Sequence, residues 1–161
     1  MERQKKYTTQ SFEETQKIGY EFGAGILATE LQKNAVILAL SGDLGAGKTT
    51  FLQGFAKGLG IRENILSPTF VIMKNFEIPQ KTKVLKNRRA SLFGYFYHFD
   101  LYRLENEKDL AFLNFQEIIS NPENIVAIEW PEKLGDALPK NIMSIKFNHL
   151  EEKKREISIN A

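Results

Sequence analysis

The residues with the most specific chemistry are residues 42–49, which read Gly-Asp-Leu-Gly-Ala-Gly-Lys-Thr. They match the phosphate-binding P-loop pattern, in which two glycines separated by four positions are followed by lysine and then serine or threonine. Glycines allow the backbone to wrap closely around a polyphosphate and to turn its N–H groups toward the phosphate oxygens. Lys48 places a positive charge on the β- and γ-phosphates, and the Thr49 hydroxyl can ligate Mg²⁺. The pattern therefore predicts a nucleotide-binding loop.

The segments on either side supply the elements that must position this loop. Residues 35–40 form an apolar, partly β-branched run that predicts a buried strand. Phe51, Phe55 and Leu59 follow at helical spacing, so a helix is expected after the loop, and its N-terminal partial charge favours an anion. Strand, glycine loop and helix form the context that the pattern requires. The nucleotide-contacting residues predicted here are Asp43, Leu44, Gly45, Ala46, Gly47, Lys48, Thr49 and Thr50.

Two further apolar segments end in an acidic residue. Residues 94–100 end at Asp100, and residues 124–129 end at Glu129. In open α/β sheets, ligands bind beyond the carboxyl ends of the strands, so both carboxylates are expected near the glycine loop. Either can hold Mg²⁺, directly or through water, or orient the attacking water, and the spacing does not decide between these roles. His98 is predicted to be packed or hydrogen-bonded, because no second metal ligand lies at a suitable spacing.

Length and composition are those of an ordinary globular protein. The 161 residues predict one domain covering residues 1–161, with 42% hydrophobic and 26% charged residues. The net charge of +2 is too small to indicate nucleic-acid or membrane binding. The absence of cysteine from the sequence excludes disulfides and thiolate metal sites. No apolar run approaches the roughly 18 residues of a membrane span, and the N-terminus lacks a signal-peptide pattern, so we expect a cytoplasmic protein without membrane attachment.

The segment before the glycine loop is predicted to be helical. Ser11 and Glu14 have the spacing of a capping box, and the helix that they begin is expected to reach about Lys33. Its glycines, at positions 19, 23 and 25, weaken a helix relative to alanine, and we attribute them to close packing. Residues 23–28 superficially match a dinucleotide-binding fingerprint, but no strand precedes them, so that interpretation is rejected.

The remaining segments have less specific patterns. Residues 67–69, Ser-Pro-Thr, precede a predicted strand at 70–76; they form either a plain turn or, in a P-loop protein, place a threonine on the γ-phosphate or Mg²⁺. Residues 79–91 predict a basic loop insertion that is either solvated or in contact with RNA. Residues 142–150 and 155–160 predict a terminal antiparallel hairpin. These elements together predict an α/β, three-layer P-loop NTPase fold with a mainly parallel central sheet and antiparallel strands toward the C-terminus.

The class of nucleotide is indicated by elimination. A GTPase carries an Asn-Lys-x-Asp motif that reads the base and a downstream Asp-x-x-Gly, and neither occurs in this sequence. Small-molecule kinases usually carry an arginine-rich lid, which residues 81–89 suit poorly. ATP, together with Mg²⁺, is therefore the predicted cofactor.

Four segments, in order along the chain, resemble the TsaE family of bacterial ATPases of tRNA threonylcarbamoyladenosine biosynthesis. The segments are Gly-Asp-Leu-Gly-Ala-Gly-Lys-Thr-Thr (residues 42–50), Ser-Pro-Thr-Phe (67–70), His-Phe-Asp-Leu-Tyr-Arg-Leu (98–104) and Ile-Glu-Trp-Pro-Glu (128–132). The resemblance implies an ATPase that acts with the TsaB–TsaD pair, of which TsaD transfers the threonylcarbamoyl group to tRNA. ATP hydrolysis would reset that complex between turnovers, and tRNA would be an indirect partner.

The resemblance also implies roles for single residues. Lys48 would contact phosphates, and Thr49 and Glu129 would bind Mg²⁺. Asp100 would support catalysis through water or the metal. Thr69 would belong to a switch-like loop.

The walls of the pocket are implied in the same way. Trp130 would lie near the nucleotide. The segment before the first helix, around Thr9 to Phe12, would border the adenine together with Arg155 of the last strand. Residues 79–91 are longer than the usual connection in the family. A bound partner or tRNA could order them, although nothing in their sequence requires it.

Two functions of other classes use the same loop. A small-molecule phosphotransferase would turn over ATP only with an added acceptor and would yield a phosphorylated product. A nucleotide-gated binding module would hydrolyse ATP negligibly, and its function would survive the loss of Asp100.

Overall fold

A single mixed sheet runs through the described part of the protein, which in this computed structural model comprises residues 4–66, 71–79 and 92–160. The strands are β1 (Gln4–Thr9), β2 (Val36–Ser41), β3 (Met73–Glu77), β4 (Tyr95–Asp100), β5 (Asn124–Glu129), β6 (Met143–His149) and β7 (Arg155–Asn160). Their spatial order is β1-β7-β6-β2-β5-β4-β3. The four central strands, β6, β2, β5 and β4, are parallel, and the outer pairs are antiparallel. The predicted mixed α/β sheet with a C-terminal antiparallel hairpin is confirmed.

Helices cover the sheet and are distributed between two apolar cores. They are α1 (Phe12–Leu27), α2 (Lys48–Gly58) and α3 (Phe115–Ser120), and two 3₁₀ helices span Glu107–Leu113 and Pro131–Ala137. Leu38 and Leu40 of β2 pack in one core with α1 and α2. Ile37, between them, packs in the other core with α3 and the 3₁₀ helices. Because alternate residues of a strand point to opposite faces, the two cores lie on opposite faces of the sheet.

The helices α1 and α2 approach each other through glycines on both sides. A Cβ atom at Gly19 would lie 2.1 Å from the carbonyl oxygen of Phe51, and one at Gly54 would lie 1.9 Å from that of Gln16. A Cβ at Gly23 would lie 2.4 Å from the Phe55 carbonyl oxygen. The close packing predicted for Gly19 and Gly23 is confirmed, but the same prediction for Gly25 is wrong, because nothing lies within 4 Å of a Cβ there. This contact fixes α1 against the helix that follows the glycine loop.

Several predicted boundaries differ from the structure. The first helix ends at Leu27 rather than about Lys33, because the N–H groups of Ala28 and Thr29 turn to the carbonyls of Gly25 and Ile26 and tighten the last turn. The strand predicted from residue 70 begins at Met73. Strand β1 was not predicted; its residues are mostly exposed, and they become a strand by pairing with β7.

Two predictions concern segments outside the described residues. Thr69 lies there, as do residues 80–91 of the predicted basic insertion. Within the described residues, no helix has the length and apolar character needed to cross a membrane.

Candidate nucleotide-binding site

The glycine loop joins the carboxyl end of β2 to Lys48, the first residue of α2. Gly42 and Gly47 have backbone φ angles of 144° and 105°, which residues other than glycine rarely adopt. A Cβ at Gly42 would also lie 2.6 Å from the carbonyl oxygen of Phe147 on β6. Gly47 is the N-cap residue of α2, and no side chain caps that helix in the described structure. The first N–H groups of α2 are thus left for an anionic ligand.

A cavity of about 600 Å³ opens beside this loop, at the carboxyl ends of β2, β4 and β5. The predicted site residues that line it are Phe12, Leu44, Gly45, Gly47, Lys48, Thr49, Thr50, Asp100, Glu129, Trp130 and Arg155. Two predicted loop residues, Asp43 and Ala46, do not line the cavity, and the Ala46 side chain is buried in the core. The sheet topology therefore gathers most of the predicted positions around one space.

The Lys48 side chain is buried and held by its own loop. Its Nζ donates hydrogen bonds to the carbonyl oxygens of Gly42 and Asp43, at 2.6 and 2.9 Å. The same atom lies 4.5 Å from the ring centroid of Trp130, a cation–π contact. Burial lowers the pKa of Lys48 below its ordinary value, and nearby carboxylates, Glu129 foremost, act in the opposite direction.

Glu129, the last residue of β5, forms the second half of the site. Its Oε1 lies 3.3 Å from Thr49 Oγ1, which donates to it, and 2.8 Å from His98 Nε2. Both His98 and Glu129 are buried. The prediction that His98 is packed or hydrogen-bonded is confirmed, because its ring is buried and bonded to Glu129. A carboxylate and a hydroxyl that meet at the start of α2 are oxygen donors of the kind that Mg²⁺ prefers.

Asp100 ends β4, and its Cα is the register partner of Glu129 across the parallel pair β4–β5. Its Oδ1 accepts a hydrogen bond from the Tyr102 backbone N–H at 3.1 Å. Both carboxylates line the cavity. Within residues 4–66, 71–79 and 92–160, no group of three or more His, Asp or Glu side chains is placed to hold a metal ion. The two carboxylates that do line the cavity are the number through which Mg²⁺ is usually bound, together with waters and substrate phosphates.

Trp130 follows Glu129 in a left-handed conformation, with φ 60° and ψ 51°. Few residues other than glycine adopt this conformation, and here it turns the chain away from β5 directly into a 3₁₀ helix. The backbone N–H of Trp130 donates to the Leu40 carbonyl at 3.3 Å, and its ring centroid lies 5.0 Å from that of Tyr102. The aromatic ring is thereby held over Lys48.

Phe12 and Arg155 lie at the side of the cavity where α1 begins. Ser11 caps α1 by accepting from the Glu14 N–H, as the capping-box prediction requires. The Glu14 carboxylate accepts from the Gln10 N–H and not from that of Ser11, so the second half of the predicted box is shifted by one residue. Arg155 Nη1 donates to three backbone carbonyls of the β6–β7 turn. A second cavity of about 210 Å³ adjoins this side and shares Phe12, Gly47, Thr50 and Arg155 with the first.

Sequence reasoning missed four residues that line the larger cavity. They are Val71, Ile72, Tyr102 and Arg103. Tyr102 and Arg103 directly follow Asp100, and residues after an acid-terminated strand are expected at the ligand-binding edge, so a signal for them was present. No local pattern marked Val71 or Ile72.

Comparison with known proteins gives a consistent result. The family model for the threonylcarbamoyl adenosine biosynthesis protein TsaE matches residues 9–157. The tRNA threonylcarbamoyladenosine biosynthesis protein TsaE of Bacillus subtilis is 34% identical over 159 residues, which is 99% of this chain and 87% of that protein. The protein of the same name from Nostoc is 38% identical over 138 residues, which is 84% of this chain and 76% of that protein. The crystal structure of Bacillus subtilis YdiB superimposes with a TM-score of 0.68 and 30% identity, covering 100% of this chain and 87% of that one.

Proposed function

The chain belongs to the TsaE family of threonylcarbamoyl adenosine biosynthesis proteins, and from this premise we propose that it is a Mg²⁺-dependent ATPase of that pathway. The proposed ATPase unit is a three-layer P-loop NTPase fold that spans residues 1–161 as one domain and carries residues 79–91 as an insertion. Its role is in the threonylcarbamoyladenosine modification of tRNA, where it acts on the TsaB–TsaD complex.

One observation carries the proposal of nucleotide hydrolysis. Thr49, in the first turn after the glycine loop, and Glu129, at the end of β5, place Oγ1 and Oε1 3.3 Å apart at the wall of the cavity that Lys48 also lines. A phosphate-binding loop alone explains binding. The carboxylate beside the loop hydroxyl supplies what a metal-assisted hydrolysis needs in addition.

The residues divide the work as follows in this proposal. The loop N–H groups and the Lys48 ammonium would bind the β- and γ-phosphates, and Thr49 and Glu129 would hold Mg²⁺. When bound, Mg²⁺ would neutralise charge on the phosphate oxygens and so favour attack at the γ-phosphorus. Asp100, on the adjacent strand, orients the attacking water and accepts its proton. As the water oxygen bonds to the γ-phosphorus, the bond from that phosphorus to the oxygen bridging to the β-phosphate breaks, and ADP leaves.

In this proposal, the residues that form the walls of the pocket contact the parts of the nucleotide that the loop does not bind. The Trp130 ring covers the phosphate side, where it contacts Lys48. Phe12 and Arg155 border the adenine at the side where the second cavity opens. We retain Thr69 as a residue of a switch-like loop on the strength of the family resemblance alone.

Partner binding is supported by exposed apolar side chains at the mouth of the larger cavity. Leu44 is 69% exposed, and Val71 and Tyr102 are about half exposed. Isolated exposed apolar residues are common, but three around one opening favour contact with another protein. We assign the TsaB–TsaD complex as that partner, with tRNA reached through it.

Phosphate release from Mg-ATP, measured with and without the cognate TsaB–TsaD pair, tests this proposal. We expect partner-stimulated release that disappears in Lys48→Ala. Release that requires a small-molecule acceptor would indicate a phosphotransferase instead. Retained tRNA modification in an Asp100→Ala variant that still binds ATP would indicate a binding module without a need for hydrolysis.

A further inference from the structure

The imidazole of His98 is fully buried beneath the edge of the sheet that carries the proposed catalytic residues, and it contacts Glu129 there. Its Nε2 lies 2.8 Å from Glu129 Oε1, and the residue has 0% of its surface exposed. We propose that His98 is a positioning residue for the Glu129 carboxylate. This inference rests on the proposed ATPase function, since it assigns the residue that sets the geometry of the proposed metal ligand.

The two carboxylate oxygens of Glu129 differ in their hydrogen bonding. Oε1 accepts from both His98 Nε2 and Thr49 Oγ1, and among the described residues no donor contacts Oε2. The Glu129 side chain lines the cavity. His98 therefore holds the carboxylate through Oε1, and within the described residues Oε2 has no hydrogen bond that a ligand in the cavity would have to displace. Groups that orient metal ligands from behind in this way commonly change metal affinity or activity by about 10–100-fold when removed.

The second ring nitrogen argues against a packing role. Nδ1 is buried and has no hydrogen-bond partner within the described residues. A buried polar atom without a partner reduces stability, whereas an apolar side chain of similar volume would avoid that loss. Phe96 and Phe99, neighbours on the same strand, are buried apolar residues of this kind. What the imidazole adds over such a residue is the N–H donor at Nε2.

The strand register explains why position 98 can serve position 129. In the parallel pair β4–β5, Asp100 is aligned with Glu129 and His98 with Ala127. His98 and Asp100 are two residues apart and point to the same face of the sheet. One strand thus presents Asp100 to the cavity and a donor one step deeper to the neighbouring carboxylate. His98 does not line the cavity, so its action on the substrate passes through Glu129.

Two amide substitutions at position 98 test whether the N–H donor at the position of Nε2 matters, as distinct from the presence of a polar side chain. In His98→Gln the side-chain amide reaches the position of Nε2, whereas in His98→Asn it falls short, near that of Nδ1. We expect His98→Asn to lower kcat for ATP at saturating Mg²⁺ about tenfold or more, and His98→Gln to stay within about threefold of the wild type. Affinity for ATP without Mg²⁺ should be unchanged in both. His149→Gln is the matched control, because His149 is exposed at the end of β6 and lines neither cavity.

A measurement without nucleotide keeps the inference testable if a variant fails to fold. Two-bond ¹H–¹⁵N spectra of the histidine-labelled wild type should show His98 with its proton on Nε2, with His149 as the internal reference, and Glu129→Ala should shift only the His98 signals. A proton on Nδ1 alone, or wild-type kcat in folded His98→Asn, would overturn the positioning role. A wild type that binds ATP but never hydrolyses it would overturn the proposed function instead, and the spectra would still decide the His98 contact.

Discussion

Lys48 and Trp130 contact each other in the structure, with Lys48 Nζ 4.5 Å from the centroid of the indole ring. The lysine belongs to the first turn of α2, and the tryptophan follows the last residue of β5. The contact therefore joins the phosphate-binding loop to the strand that carries the proposed metal ligand. Because the sequence contains one tryptophan, that contact can be followed by fluorescence.

We expect ATP to change the fluorescence of Trp130. Phosphates draw the Lys48 ammonium from the ring face, so the emission intensity should change in proportion to the bound fraction. A titration with ATP gives the dissociation constant. Lys57→Ala, which removes an exposed lysine of the same helix, should respond like the wild type. An unchanged response in Lys48→Ala would exclude Lys48 as the origin of the signal.

The two carboxylates should differ in their dependence on Mg²⁺. Glu129→Gln is expected to raise the Mg²⁺ concentration that gives half-maximal ATP hydrolysis, because Glu129 is the carboxylate beside Thr49 Oγ1. Asp100→Asn is expected to lower kcat by roughly 100-fold or more with the Mg²⁺ requirement unchanged, because it removes the proton acceptor. The opposite pattern in Mg²⁺ titrations of phosphate release would exchange the two roles.

The burial of Lys48 should make the free energy of unfolding depend on pH in the alkaline range. Since burial lowers the pKa of Lys48 in the folded state, the unfolded chain binds more protons between the lowered and the ordinary pKa. Stability from this group is therefore reduced at neutral pH and is recovered as the pH rises through that interval. Lys48→Met lacks the recovery, so the free energy of unfolding of the wild type should rise relative to this variant as the pH increases toward the ordinary lysine pKa of 10.5. A constant difference in urea unfolding would contradict the burial effect.

Alanine substitutions at two glycines should have opposite effects on stability. Gly54→Ala places a Cβ 1.9 Å from the Gln16 carbonyl oxygen and should lower the free energy of unfolding by about 1–3 kcal/mol, since α1 and α2 must separate. Gly25→Ala meets nothing within 4 Å and should raise it by about 0.5–1 kcal/mol, because alanine favours the helix. Thermal and urea unfolding measure both. Equal effects would show that the α1–α2 contact is looser than the structure indicates.

Much of the fold followed from local patterns. The limits of β5 and β7 agree with the predicted segments 124–129 and 155–160. One segment is a short apolar run and the other alternates apolar and polar residues, so each strand can be predicted without knowledge of its neighbours in the sheet. Strand β1 has no such pattern, because it is an exposed edge strand whose conformation comes from its ladder with β7. The early end of α1 likewise depends on backbone hydrogen bonds that composition does not specify.

The glycine loop, with its lysine and threonine, was predictable from the sequence, because a phosphate-binding turn requires particular residues at fixed spacing. The acids that end two strands were predictable as well. The sequence did not indicate which side chains would meet. That Glu129 contacts both Thr49 and His98, and that Trp130 covers Lys48, follows from the parallel order β2-β5-β4 and from the left-handed turn at Trp130. Those contacts join residues far apart in the chain, and only the packing of neighbouring strands and of α2 in the folded protein brings their atoms together.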